Sequence, residues 1–293
     1  MKKPITYLFS VLLTLLLIFS LIGLTLCGLI RFRALDPDTF TLVVNEQALP
    51  IHVQDELQIY FSEQENATGI PAYVYAEPVE ATQLRPIILE RVRVAFDYLN
   101  GKTDSLAVSP DFSMLEQSLT AFFEQYAEEN NYQKDALYDE TVANAIESAK
   151  TNISSACDVF RIELLDKAGL LKKVRRYMPL LNPALIGCAC AAILALILLA
   201  VVNRKEKGQI FYWLGTGVLV ASLLMLAPAV YLQATRWFDR FAVKSGQVFA
   251  AVTGYLYKMT GTVITAAVIG IVIALCCYLL RGVIGGRGRR TAD

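Results

Sequence analysis

Four stretches of this chain run for at least 21 positions without a charged residue or a histidine: 4–30, 180–202, 210–233 and 260–280. As a helix rising 1.5 Å per residue, each is long enough to cross about 30 Å of hydrocarbon. The pattern therefore predicts four transmembrane helices. The first follows Met1-Lys2-Lys3, as a secretion signal would. Its apolar run is too long for a cleaved signal and ends Cys27-Gly28-Leu29-Ile30, with no small-residue cleavage site, so it reads as a retained signal anchor. Leu24-Thr25-Leu26-Cys27 has the outline of a lipoprotein box, but the large Leu26 before the cysteine argues against lipidation.

Between the first and second spans, residues 31–178 alternate polar and apolar positions at helical spacing. Leu35-Asp36-Pro37-Asp38 is a helix start, with Asp36 as cap and Pro37 at the first helical position. Phe40, Val43 and Val44 follow on one face, and a short second helix after Pro50 carries Val53, Leu57 and Tyr60 or Phe61. Turn chemistry marks 66–71, and Tyr73-Val74-Tyr75 predicts a brief extended piece. Leu84, Ile88, Val92, Ala95 and Leu99 form the stripe of a helix that Asn100-Gly101 ends, with Pro86 setting its start at Leu84 or Arg85. Ser109-Pro110-Asp111 opens a helix carrying Phe112, Leu115, Leu119, Phe122 and Tyr126. From 134 to 166 one long amphipathic helix is expected, on the stripe Tyr138, Val142, Ile146, Ala149, Ile153, Ala156, Phe160, Leu164. Helices with one apolar face each satisfy one another as a bundle. The predicted class is all-α: a polytopic membrane protein with four transmembrane helices and a soluble helical-bundle domain inserted between helices 1 and 2.

The remaining pieces are a short basic loop (203–209), an amphipathic, aromatic segment (234–259) and a basic tail (281–293). The segment is expected as a helix at the membrane surface or pressed under the large domain, with Trp237, Phe238 and Phe241 at the interface. The run 170–178 mixes aliphatic residues with Lys172, Lys173, Arg175 and Arg176, which places a second interfacial anchor before the second span.

Composition fits this division. The chain is 55% hydrophobic and 18% charged, with a mean hydropathy of +0.45. Net charge is zero, so nothing argues for nucleic acid as a partner. The charges segregate: residues 31–178 hold 24 Asp and Glu against 14 Lys and Arg, while the rest of the chain holds 13 basic residues and three acidic ones. Basic residues flank both ends of the spans in similar numbers, so the positive-inside rule does not orient the protein. The signal-like start, and the tolerance of long translocated domains for charge, favour both termini in the cytoplasm of a cell with 31–178 outside its plasma membrane. Of six cysteines only Cys157 lies in the large domain, which must be held by its apolar core; an intermolecular bridge and a buried thiol are both open for it.

Motifs for catalysis are missing. A single histidine, His52, excludes HExxH peptidases, His-rich zinc sites and most nucleophile triads. There is no GxSxG elbow, phosphate loop or GxGxxG turn, and the acidic residues lack an EF-hand pattern. No pair of carboxylates is singled out for glycoside chemistry. No cofactor, metal or catalytic residue is expected, and the spans hold no ionisable group of the kind ion pumps use. Small residues recur at helix-packing spacing: Gly187, Ala191 and Ala195 in the second span, and Thr262, Ala266, Gly270 and Ala274 in the fourth. They are expected to pack this chain's own bundle or to hold a partner or a second copy. The expected function is a non-enzymatic envelope protein whose domain binds a protein or ligand; the alternative is an accessory subunit of a transport or secretion assembly.

Overall fold

The computed structural model describes residues 4–204 and 206–290, with the backbone alone at 4, 5, 207 and 284–290. Lys2, Lys3, Lys205 and Asp293 lie outside the described residues, as do the side chains of Arg287, Arg289 and Arg290. Among the described residues the protein is all helical and contains no strand. In chain order the helices are α1 (Pro4–Leu29), α2 (Pro37–Glu46), α3 (Leu49–Thr68), α4 (Ala81–Leu99), α5 (Ser113–Glu129), α6 (Ala136–Ala156), α7 (Ile162–Lys167), α8 (Leu170–Val202), α9 (Lys207–Ala234) and α10 (Gly246–Arg290). Four of them, α1, α8, α9 and α10, are long and apolar enough to cross a membrane.

The chain forms two compact units. The first comprises 4–36, 177–240 and 256–290. Here α1 runs antiparallel to α8: Ser10 meets Asn203 at 3.1 Å, Gly23 abuts Cys188, and Arg31 reaches Asn182 at 3.4 Å. It runs parallel to α9, with Tyr7 edge-on to Trp213 and Leu17 against Gly217. The last helix runs antiparallel to α9, through Tyr278 with Thr216 (3.0 Å), Ala274 and Cys277 against Gly215, and Ser222 against Gly270. Hydroxyls that would be stranded in hydrocarbon return to the helix itself: Ser10, Thr14, Ser20 and Thr216 each donate to the carbonyl four residues back. Large apolar side chains such as Phe19, Ile186, Ile197 and Leu279 face outward.

The second unit comprises Pro37–Arg176 and Phe241–Tyr255. Its core is Val44, Leu49, Val53, Leu57 and Phe61 of α2 and α3, Leu84 and Ile88 of α4, Leu115 and Leu119 of α5, and Ile153 of α6. Ala251, in the first turns of α10, joins the same core, Tyr255 packs on Phe40 at 4.6 Å, and Gly254 lies against Gln47. Local signals set the helix ends. Gln54 accepts the Ala81 N–H at 3.0 Å, Asp111 that of Ser113 at 2.9 Å, and Asp135 that of Tyr138 at 2.9 Å. Gly69, at φ +71°, ends α3 with its N–H on the Glu65 carbonyl.

Several expectations need correction. The helix expected over 134–166 stops at Ala156: the Asp158 carboxylate takes the N–H groups of Ile162 (2.8 Å) and Glu163 (3.0 Å), Arg161 turns at φ +53°, and Leu164 is exposed. Tyr73-Val74-Tyr75 is not extended but part of a 3₁₀ turn, Ala72–Tyr75, that buries Val74 and Tyr75. The helix with Pro86 starts at Ala81, and α5 starts at Ser113 rather than at Ser109. The segment 234–259 is no single surface helix: a 3₁₀ turn, Trp237–Arg240, precedes α10, which begins at Gly246 and is unbroken through the last span. No proline follows Gly246 to interrupt it. Similarly, 170–178 forms the first turns of α8.

Candidate functional site

A groove of about 340 Å³ opens where α3, the 3₁₀ turn, α5 and α6 meet. Four aromatic rings form its apolar wall: Tyr60 and Phe61 of α3, Tyr75 of the turn and Phe123 of α5. Phe61 and Tyr75 stack face to face, with centroids 3.8 Å apart and planes 5° from parallel. That stack exists because Gly69 reverses the chain after α3 and the 3₁₀ turn carries Tyr75 back over it.

The rest of the lining is polar without being ionic, apart from Ile70, Ala145 and Ala149. Gln64 and Thr68 come from α3, the helix of Tyr60 and Phe61, and Thr141, Ser148 and Asn152 from α6. No Asp, Glu, Lys, Arg or His lines the groove. Burial, reinforced by the neighbouring Tyr60, pushes the Tyr75 phenol up to about 12, so it stays neutral. The hydroxyls have no base beside them, so the arrangement suits binding by stacking and hydrogen bonding rather than nucleophilic chemistry. Sequence periodicity missed this groove because its polar members lie on the solvent-facing sides of α3 and α6, which read as ordinary surface.

A second cluster is buried and structural. Arg91 of α4 donates to the Ser154 hydroxyl at 2.6 Å and lies 3.8 Å from Asp158, whose carboxylate also caps α7. Beside it Cys157 is 1% exposed, and burial pushes its thiol up to about 12. A thiol held neutral and covered is neither a nucleophile nor available for an intermolecular bridge. His52 is exposed on the first turn of α3. Among the described residues no group of three or more His, Cys, Asp or Glu is placed to hold a metal ion.

The residues expected at helix interfaces are divided. Ala195 is fully buried beside Leu17, Leu199 and Trp213, and Ala274 is fully buried under Gly215. Gly270 is so close to α9 that a Cβ would collide with the Ser222 hydroxyl. Ala191 and Ala266 are half-buried. Gly187 is on the outer face of α8 with open space around it; its neighbour Cys188 makes the packing contact, on Gly23. Periodicity did not single out Gly23, Gly215 or Gly217.

Of the expected interfacial residues, Lys172, Lys173 and Arg176 are exposed. Arg175 is engaged within its own unit, 2.7 Å from Asp104 and stacked 4.7 Å over Tyr98. Phe238 is buried on Tyr257, which donates to Asp239 at 2.8 Å; Trp237 lies under Arg240, and Phe241 is partly exposed. No protein-family model, curated protein or solved structure matches the chain.

Proposed function

We propose that this protein is a non-enzymatic recognition protein of the cell membrane, whose helical domain binds an uncharged ligand that offers both apolar faces and hydrogen-bonding groups. In this reading the second unit is a water-facing domain, most of it inserted between the first and second spans and completed by 241–255, which precedes the fourth. It lies outside, and both termini lie in the cytoplasm. The observation that carries the binding role is the groove itself: four aromatic rings together with Gln64, Thr68, Thr141, Ser148 and Asn152, with no ionisable side chain among them except phenols. Aromatic faces take the apolar side of a ligand, and amides and hydroxyls select its polar edge. Neutral saccharides and uncharged peptide segments have that character.

The test is calorimetry on the full-length protein in lipid nanodiscs against neutral oligosaccharides and uncharged peptides. Ser148 is exposed on the groove wall, so Ser148→Trp fills the space at little cost to folding. The reading expects a binder among these classes whose affinity falls at least tenfold in Ser148→Trp at unchanged melting temperature. Binding indifferent to that substitution, or confined to charged ligands, contradicts it.

A subunit of a transport or secretion assembly is the second reading, and Gly187 favours it. An outward-facing glycine with open space around it lets a partner helix approach closely. This reading expects a stoichiometric partner to co-purify and to be lost in Gly187→Leu; retention of the partner contradicts it.

A further inference from the structure

The groove of the second unit holds hydrogen-bonding capacity that the protein itself does not use. Among the described residues, the side chains of Tyr60, Gln64, Tyr75, Ser148 and Asn152 make no hydrogen bond within the chain. Tyr75 carries the most weight: it is only 5% exposed and stacked on Phe61, yet it lines the groove with its hydroxyl unpaired. A buried phenol normally has a partner. The two threonines differ. Thr68 gives its hydrogen to the Gln64 carbonyl (3.0 Å) and Thr141 to that of Leu137 (2.7 Å), so each has only acceptor capacity left.

These groups define an occupant by what it must bring. It has to donate to the threonine and amide oxygens and accept from the amide nitrogens, at close spacing. The known modes of peptide binding do not meet that demand here. An added strand needs a sheet edge, and the groove is bordered by helices, whose main-chain groups are already paired. A docked amphipathic helix spends its main-chain groups on itself and leaves the unpaired amides covered. A polyproline segment offers carbonyl acceptors and few donors. Each hydroxyl of a saccharide both donates and accepts, and neighbouring hydroxyls match the adjacent N–H and oxygen of a side-chain amide. The carbon–hydrogen face of a sugar ring is apolar and covers aromatic rings, which the half-buried Tyr60 and Phe123 supply. Without a charged side chain in the lining, acidic and amino sugars have no counter-ion.

We infer that the ligand of this groove is a short neutral saccharide, with a ring face on Tyr60 and Phe123 and its hydroxyls on Gln64, Tyr75, Ser148 and Asn152. A volume of about 340 Å³ is at the small end of ligand pockets, which limits its length. The inference rests on the reading of the groove as the recognition site and narrows that reading to one class.

The test presents the full-length protein in lipid nanodiscs to two arrays, one of neutral, acidic and amino glycans and one of capped, uncharged peptides. The expected result is binding to neutral glycans that falls at least tenfold in Asn152→Ala, at unchanged melting temperature, and in Tyr75→Phe, which keeps the ring stack and removes only the hydroxyl. The control Gln117→Ala, which removes an exposed amide of α5 outside the groove, is expected to keep it. Peptide binding that equals or replaces glycan binding, and is lost in Ser148→Trp, overturns the saccharide while keeping the groove as a recognition site. Equal binding of charged and neutral glycans, or neutral-glycan binding that survives both groove variants, also overturns it. Silence on both arrays overturns the recognition reading, and the saccharide with it.

Discussion

Glycine does different work in the two units. In the second unit Gly69 and Gly101 sit at positive φ, where the chain leaves a helix. In the first, Gly23, Gly215, Gly217 and Gly270 lie within helices, at points where a neighbouring helix is too near for a Cβ to fit freely. The same residue ends helices in one region and brings them together in the other. Large side chains divide in the complementary way. Leu49, Leu84, Ile88, Leu115 and Leu119 fill the core of the second unit, while Phe19, Ile186, Ile197 and Leu279 face away from the first. Water drives large apolar groups inward; hydrocarbon gives no such drive, and close packing through small residues takes its place. Gly254 is the exception in the second unit: it packs closely on Gln47, and it belongs to α10.

Substitutions that exchange the two roles test the contrast. The largest effect is expected from Ile88→Ala, which empties a fully buried position in the second unit and should destabilise it by about 2–5 kcal/mol in denaturant unfolding. A comparable truncation of an outward-facing residue of the first unit, Ile197→Ala, should cost well under that. Next, Gly270→Leu should cost about 1–3 kcal/mol through overpacking against Ser222, read as a lower melting temperature in nanodiscs. An unchanged melting temperature would remove the close-approach argument. Gly69→Ala, where space is open and only φ is strained, should cost about 1–2 kcal/mol.

The smallest effect at neutral pH concerns Cys157, whose ionisation matters only in alkali. Its thiol is raised from the ordinary 9.0 to about 12 by burial, so the folded state favours the protonated form. That contribution is fully present below pH 9 and is lost as pH rises from there toward 12. Stability of the second unit should therefore decline over that range more steeply than in Cys157→Ala, as pH-dependent unfolding would show. Parallel declines would remove the assignment.

The contrast also explains what could be read from the sequence. The four spans were legible because absence of charge over twenty-odd residues is a strong, local signal. The stripes Leu84–Ile88–Val92 and Leu115–Leu119 were legible for a similar reason: one face meets water and the other does not. The break at Cys157 was not, because Phe160 keeps the helical spacing while the Asp158 side chain, four and five residues ahead of its partners, starts a new helix at Ile162. Nor was the start of α10 at Gly246, since an amphipathic stretch before a span looks alike whether it lies on a membrane or packs into a core. In the spans, composition gives small residues at spacing but not which face meets a neighbour, so Gly187 and Gly270 read alike. The groove residues Gln64, Thr141 and Ser148 are ordinary on their own helices and meet only through the tertiary fold.

The most direct test of the contrast uses a cysteine the protein already has. Cys190, at the middle of the second span, lies on the outward surface of α8. A second probe, Ser105→Cys, lies in the exposed loop between α4 and α5. Both are to be labelled with a membrane-impermeant maleimide in native membranes opened to expose both faces, and the modified peptides compared by mass spectrometry. The account predicts rapid modification at 105 and none at Cys190, whose exposed surface is covered by lipid. Modification of Cys190 at a rate comparable to residue 105 would contradict it, because the outward apolar face of the first unit would then be in water.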